Sequence, residues 1–400
     1  MGLGFGEALL IFGLLLAIAA GLSGVMRGTV LSVSVLSVTL GVVLALADVV
    51  TVDVGDPNVV HLVELALILT LFADGLVVER ELLTLHWGPP TRAIVFAMPI
   101  TLAILAVFGI VLFEELSVAE AFLLAAVLTP TDPVVTSSVV TSQRVPERVR
   151  HTLNLESGLN DGLALPFVLF FLVLATPGGD AGSEAAKLLG EAAVGGAIGV
   201  VLGIAGGRVH RLAPAGGITP RYEGIFAIGL GLAAYGLADA TFGNGLIAAF
   251  VAGIALGATE HEIPERFIDF AENVSSIFQV LTFFVFGALI VATGYDGSVP
   301  ALVAFILLAI LVARPVAMLV ALFGTDFKRP ERGFMAWFGP KGVASMLFAL
   351  IVLESAAEHS ALMFKVAAFT ILCSILAHGL TDTVGARWVE GRVGGGSRAR

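Results

Sequence analysis

The chain is 400 residues long, 58% hydrophobic and only 13% charged, with a mean hydropathy of +1.00. Globular domains carry roughly 25% charged residues, so a soluble core could not be clothed here and the chain reads as an all-α polytopic membrane protein. The net charge of −11 contains no basic block for a nucleic acid, and a single Cys373 excludes an internal disulfide or a cysteine-rich metal site.

A bilayer-crossing helix needs about 20 mostly apolar residues. Thirteen spans are expected in chain order, at roughly 5–22, 28–47, 59–78, 92–113, 117–140, 151–175, 186–207, 222–239, 243–258, 271–293, 299–323, 332–353 and 361–381. The first is apolar enough to resemble a signal peptide, but it lacks a leading Lys or Arg and carries Glu7, which argues against cleavage. The segment 383–400 reads as a short cytoplasmic tail with a disordered Gly394–Ser397 run.

The connecting loops alternate in sign. One set, from Arg27 through Arg144, Arg148, Arg150 and Arg208 to Arg400, holds 17 of the 21 Lys and Arg, whereas the other holds Lys187 alone. By the positive-inside rule the N-terminus lies outside and the C-terminus in the cytoplasm of a cell that carries the protein in its plasma membrane. An error in the span count would break this alternation.

Two spans are broken. The fifth contains Thr129-Pro130-Thr131-Asp132-Pro133 and the twelfth Gly339-Pro340-Lys341-Gly342. Proline removes a backbone donor and clashes with the preceding turn, and lipid tolerates such backbone only inside protein or along a cavity. The two breaks stand seven spans apart, so spans 1–6 and 8–13 form an inverted repeat whose broken helices cross at a binding site.

The polar residues gather around the breaks. In the sixth span Glu156 and Asn160, like Ser157 and Asp161, are four apart and share a helix face. Asp132 and Asp161 are the candidate ion ligands. Pro130 and Pro133 would free the carbonyls of Ala126 and Thr129, and a site of carboxylates and carbonyls suits alkali cations better than zinc or copper. A carboxylate in low dielectric takes up a proton more readily than one in water, so one site can hold either a proton or a cation. Glu156 needs a permanent positive partner, with Arg314 preferred and Lys341 the alternative.

Other polar residues read less sharply. Asp74 either lines a cytoplasmic entry or reaches the interface. Glu64 and Glu191 suit helix–helix contacts, and His378 suits a structural role. The run Gly195-Gly196-Ala197-Ile198-Gly199 with Gly203 is a close-packing signal, with a dimer contact as its other reading.

The Thr-Pro-Thr-Asp-Pro run and the Glu156-Ser157-x-x-Asn160-Asp161 motif resemble the monovalent cation:proton antiporter-1 family, of the NhaP type. The resemblance extends to Phe72–Leu76, Ala313-Arg314-Pro315, Trp337–Gly342 and Ala377–Thr381. It implies exchange of Na⁺ or Li⁺ for H⁺ with no cofactor, by a homodimer. It implies Asp161 as the alternating carboxylate, with Asp132, the Thr131 backbone and Ser157 completing the coordination, and Asp74 is kept beside them as a candidate cation-binding residue. Asn160 stands where electrogenic relatives carry a second Asp, which implies one-for-one electroneutral exchange. Spans 4–6 (92–175) and 11–13 (299–381) would form the transporting core, and spans 1–3 and 7–10 the dimerising scaffold. Lys341 departs from the family's usual Arg. A K⁺/H⁺ antiporter, a passive cation channel and an intramembrane enzyme are the competing readings, the last lacking a metal motif or a nucleophile–base pair.

Overall fold

A computed structural model describes residues 5–26, 32–53, 56–82, 88–132, 135, 142–177, 181–212, 218–219, 221–259 and 265–393. Among these residues there are fourteen helices and no strand. They are α1 (Phe5–Met26), α2 (Val33–Leu46), α3 (Pro57–Leu82), α4 (Gly88–Leu112), α5 (Val118–Val127), α6 (Glu147–Ala175) and α7 (Ala181–Leu212). After these come α8 (Glu223–Asp239), α9 (Gly245–Thr259), α10 (Glu265–Thr293), α11 (Val299–Ala321), α12 (Arg329–Trp337), α13 (Val343–Glu354) and α14 (Ser360–Val393). Seven of them, α3, α4, α6, α7, α10, α11 and α14, are long and apolar enough to cross a membrane. The protein is a multi-pass helical membrane protein.

The fifth span begins as α5. A reciprocal cap starts it: Ser117 Oγ accepts from Glu120 N at 3.2 Å and Glu120 Oε2 accepts from Ser117 N at 2.9 Å. The helix stops at Val127, two residues before Thr129-Pro130. Pro133 and residues 136–141, where the span would resume, lie outside the described residues. In the twelfth span, α12 ends at Trp337, and α13 starts afresh at Val343 after five non-helical residues.

Two helices carry an irregularity that the sequence reading did not anticipate. In α4 residues Ala93–Ala97 form a π-turn before Pro99, and in α11 Ala309–Ala313 do the same before Pro315. A proline inside a helix must shed one i→i−4 bond, and the wider turn absorbs it. Such turns concentrate at functional sites. Here the second one delivers Arg314 into the protein interior, where it is 7% exposed.

Glycines bring several helices into backbone contact. A Cβ on Gly195, Gly199 or Gly203 of α7 would stand 2.3–2.6 Å from backbone oxygens of Asn244, Ala248 and Ala252 at the start and along the length of α9. Gly195, Gly199 and Gly203 thus serve the α7–α9 contact, whereas a Cβ on Gly196 would meet nothing within 4 Å among the described residues. Glu64 of α3 likewise meets another helix, accepting from Tyr235 Oη of α8 at 2.6 Å.

The last helix overruns its expected end. Residues 383–393 continue α14 instead of forming a tail, because Ala386 and Val389 bury against the cluster of Phe327, Phe334 and Phe338. Only 394–400 of the expected tail fall outside the described residues. At the same end of the bundle Arg148 of α6 forms a bidentate pair with Glu331 of α12, Nε donating to Oε1 at 3.0 Å.

Candidate functional site

The two breaks meet. Asp132 N donates to Pro340 O at 2.9 Å, and Asp132 Oδ2 accepts from Val343 N at 3.3 Å. The carboxylate thus sits at the N-terminus of α13, where unpaired amides and the helix dipole favour negative charge. Gly342 permits the approach: a Cβ there would lie 2.0 Å from Asp132 Cβ.

Lys341 crosses in the other direction. Its Nζ donates to Pro130 O at 3.2 Å and to Thr129 O at 3.4 Å, and its backbone N donates to Ser374 Oγ of α14 at 3.1 Å. These bonds show where the carbonyls of the first break point. The Thr129 carbonyl freed by the proline is taken by an ammonium, and the Ala126 carbonyl accepts from Thr129 N at 3.3 Å. Irregular backbone at membrane depth must be satisfied inside the protein, and here the partner break satisfies it. Each carbonyl thus has one protein donor.

Glu156 meets Arg314 with two bonds, Nη1 to Oε1 at 2.9 Å and Nη2 to Oε2 at 2.8 Å, and Nη2 also donates to Phe338 O at 3.0 Å. Gly339 makes room, since a Cβ there would fall 1.7 Å from Arg314 Nε. Of the two partners weighed from sequence for Glu156, the structure brings Arg314 against it.

Asn160 ties this pair to the first break. Its Nδ2 donates to Thr131 Oγ1 at 2.7 Å and to Glu156 Oε1 at 3.1 Å, while its Oδ1 accepts from Thr131 N at 3.2 Å. Ser157 Oγ donates to Thr131 O. The Thr131 carbonyl and the Ser157 hydroxyl are therefore bonded to each other.

Asp161 is different. It is 3% exposed, and its Oδ1 has no hydrogen-bond partner among the described residues. Asp132, Asp74, Glu156 and Lys341 all lie within electrostatic reach of it. Asp74 on α3 interacts in turn with Asp132 and with Glu272 of α10. The structure thus gathers Asp74, Asp132 and Asp161 around one place, with Lys341 and the neutralised Glu156–Arg314 pair beside it. His378 is held by its own helix, with Nδ1 2.7 Å from Ser374 O and 3.2 Å from Ser374 Oγ.

One contributor was missed from sequence: Ser374 anchors the Lys341 amide. Ser345 of α13 is also fully buried, its hydroxyl without a partner among the described residues. Both are single small polar residues in apolar helices, a pattern common along this chain, and no local signal sets them apart.

Comparison with known proteins adds the following. Residues 11–385 match the family model described as "Sodium/hydrogen exchanger, transmembrane". The chain is 26% identical over 326 residues to the K(+)/H(+) antiporter NhaP2 of Shewanella sp. strain MR-4, covering 81% of this chain and 56% of that protein. It is 28% identical over 379 residues to Na(+)/H(+) antiporter 2 of Zygosaccharomyces rouxii, covering 82% and 45% respectively. The chain thus spans about half the length of these curated relatives. Its fold is similar to that of the sodium proton antiporter MjNhaP1 from Methanocaldococcus jannaschii, with a TM-score of 0.75 at 20% identity over 96% of this chain and 97% of that one.

Proposed function

The chain belongs to the sodium/hydrogen exchanger transmembrane family, and from that premise we propose that it is a secondary antiporter exchanging Na⁺ or Li⁺ for H⁺ across the plasma membrane. The observation that carries this reading is the buried, unpartnered Oδ1 of Asp161 in a site with surplus negative charge. Glu156 is neutralised by Arg314, so three carboxylates remain against the single ammonium of Lys341. Leaving the charge of Asp161 uncompensated in low dielectric costs about 3–5 kcal/mol. A proton or an alkali cation at Asp161 relieves that cost, and either one excludes the other.

In this reading Asp161 alternates between its two cargoes. Asp132 and Asp74 supply the field that attracts a cation, and Lys341 limits the site to one. Asn160 donates to Glu156, so it adds no second titrating group, and the exchange is electroneutral. Helices α4–α6 and α11–α14 act as the moving core, and α1–α3 and α7–α10 as a scaffold that pairs two copies. The N-terminus faces outward and the C-terminus the cytoplasm. K⁺ as the exchanged cation is the second reading, supported by the likeness to the Shewanella K(+)/H(+) antiporter.

Collapse of a pH gradient in proteoliposomes on adding Na⁺, Li⁺ or K⁺ tests it, with Asp161→Asn as the control. Antiport predicts dissipation by Na⁺ or Li⁺ that the variant loses. A response to K⁺ alone transfers the substrate to K⁺, and activity undiminished in the variant removes Asp161 from its role.

A further inference from the structure

A second buried polar cluster lies where α3 crosses α10. Thr70 Oγ1 donates to Ala66 O at 2.8 Å. Ser275 Oγ lies 2.8 Å from Thr70 Oγ1, and because the Thr70 proton is already committed, Ser275 is the donor. Gln279 Nε2 donates to Thr70 Oγ1 at 3.0 Å and to Ser275 Oγ at 3.3 Å. Both hydroxyl protons point elsewhere, so the proton count orients the carboxamide with its NH₂ toward the hydroxyls.

Gln279 Oε1 is consequently turned away from them. It is buried and has no partner among the described residues, and neither has Thr282 Oγ1, three positions along the same helix face. Gln279 is 3% exposed and Thr282 is 0%. A carbonyl oxygen left unmet in an apolar interior is costly to keep, and two hydroxyls plus an amide are spent here on holding one outward.

Acidic residues flank the hydroxyl side of the cluster. Asp74 stands one turn from Thr70 on α3, and Glu272 stands three residues before Ser275 on α10; the two interact electrostatically. Helix α13, whose first amide binds Asp132, packs against both α3 and α10.

We propose that Gln279 Oε1 and Thr282 Oγ1 form a second position for the monovalent cation, a staging site on α10. Neutral oxygen ligands suit an alkali cation, and without a carboxylate of their own they hold it weakly enough to pass it on. The site rests on the antiport reading in that its ligand is the transported cargo.

Binding of ²²Na⁺ to purified protein tests this without transport. In an Asp161→Asn background a residual weak Na⁺ binding is expected, abolished by Gln279→Leu and strengthened by Gln279→Glu. In proteoliposomes of otherwise unaltered protein, Gln279→Leu raises the apparent KM for Na⁺ by about fivefold with little change in maximal rate, and Gln279→Glu lowers it. Thr282→Val gives a smaller change in the direction of the leucine variant, and it carries the test should Gln279→Leu fail to fold. The proposal is overturned if neither oxygen alters Na⁺ binding or KM, which would mark a cluster filled by water alone. Wild-type liposomes that move no protons would refute the antiport reading, while the binding measurement still decides the second position.

Discussion

Arg314 grips Glu156 through two parallel hydrogen bonds of 2.9 and 2.8 Å, and the same guanidinium reaches the Phe338 carbonyl at the edge of the second break. One cation thereby fixes α6, α11 and the unwound segment together. A guanidinium does this because its donors form a planar fork, which an ammonium lacks. Removing one member of a buried pair strands the other at a cost of about 3–5 kcal/mol.

Glu156→Gln and Arg314→Leu are therefore each expected to lower the melting temperature in detergent sharply and to abolish transport. The double variant Glu156→Leu/Arg314→Leu removes both charges, so its melting temperature is expected above that of either single variant. Thermal unfolding followed by size-exclusion chromatography reads the difference. A double variant less stable than both singles would contradict the pairing.

Gly342→Ala tests the crossing itself. The added methyl carbon would fall 2.0 Å from Asp132 Cβ, and overpacking of this kind costs roughly 1–3 kcal/mol or more. Backbone on both sides is pinned by the Asp132–Pro340 and Asp132–Val343 bonds, so little relaxation is open to it. Loss of cation-dependent exchange with poor yield is expected. Gly88→Ala, with open space around its Cβ, should be indistinguishable from the parent in both measurements.

The outline of this site was legible because membrane depth makes polar residues conspicuous. Asp132, Glu156, Asn160 and Asp161 stand in segments where charge is expensive, and prolines mark the backbone that needs partners. The partners themselves were less legible. Sequence could say that Thr129 loses its helical donor, but only the fold shows that Lys341, 212 residues away, replaces it. The π-turns were hidden because Pro99 and Pro315 alone do not say whether a helix kinks or widens. The continuation of α14 past 381 rests on Ala386 and Val389 meeting Phe334 and Phe338, a contact between distant segments. The Gly195–Gly203 stripe signalled close packing correctly, yet which helix it packs against is a tertiary fact.

Lys341 is expected to tolerate charge conservation better than shape conservation. Lys341→Met leaves the Thr129 and Pro130 carbonyls without this donor, at about 1–3 kcal/mol for each unsatisfied group, and removes a positive charge from the balance around Asp161. Lys341→Arg keeps a donor and a charge at this position. Exchange lost in the methionine variant and retained in part by the arginine variant is the expected result, measured together with melting temperature. Full activity in Lys341→Met would show that the ammonium is not needed at the crossing.

The proposed competition between proton and cation at Asp161 fixes the form of the pH dependence. Because either occupant excludes the other, protonation removes sites available to Na⁺ without altering the turnover of sites that are loaded. The apparent KM for Na⁺ should then rise toward tenfold for each unit of falling pH once the proton dominates, with the rate at saturating Na⁺ unchanged, as mass action at a shared site requires. The sign follows from the chemistry: protons add as pH falls, so apparent cation affinity is lost toward acid and recovered toward alkali. In the proposed mechanism the unpartnered Oδ1 is the atom at which this exchange takes place, and Asn160, bonded to Thr131 and Glu156, contributes no second proton. Initial rates of exchange across a Na⁺ series at several pH values measure it. A maximal rate that falls with pH while KM stays constant would place the proton on a separate group and defeat the single-site mechanism.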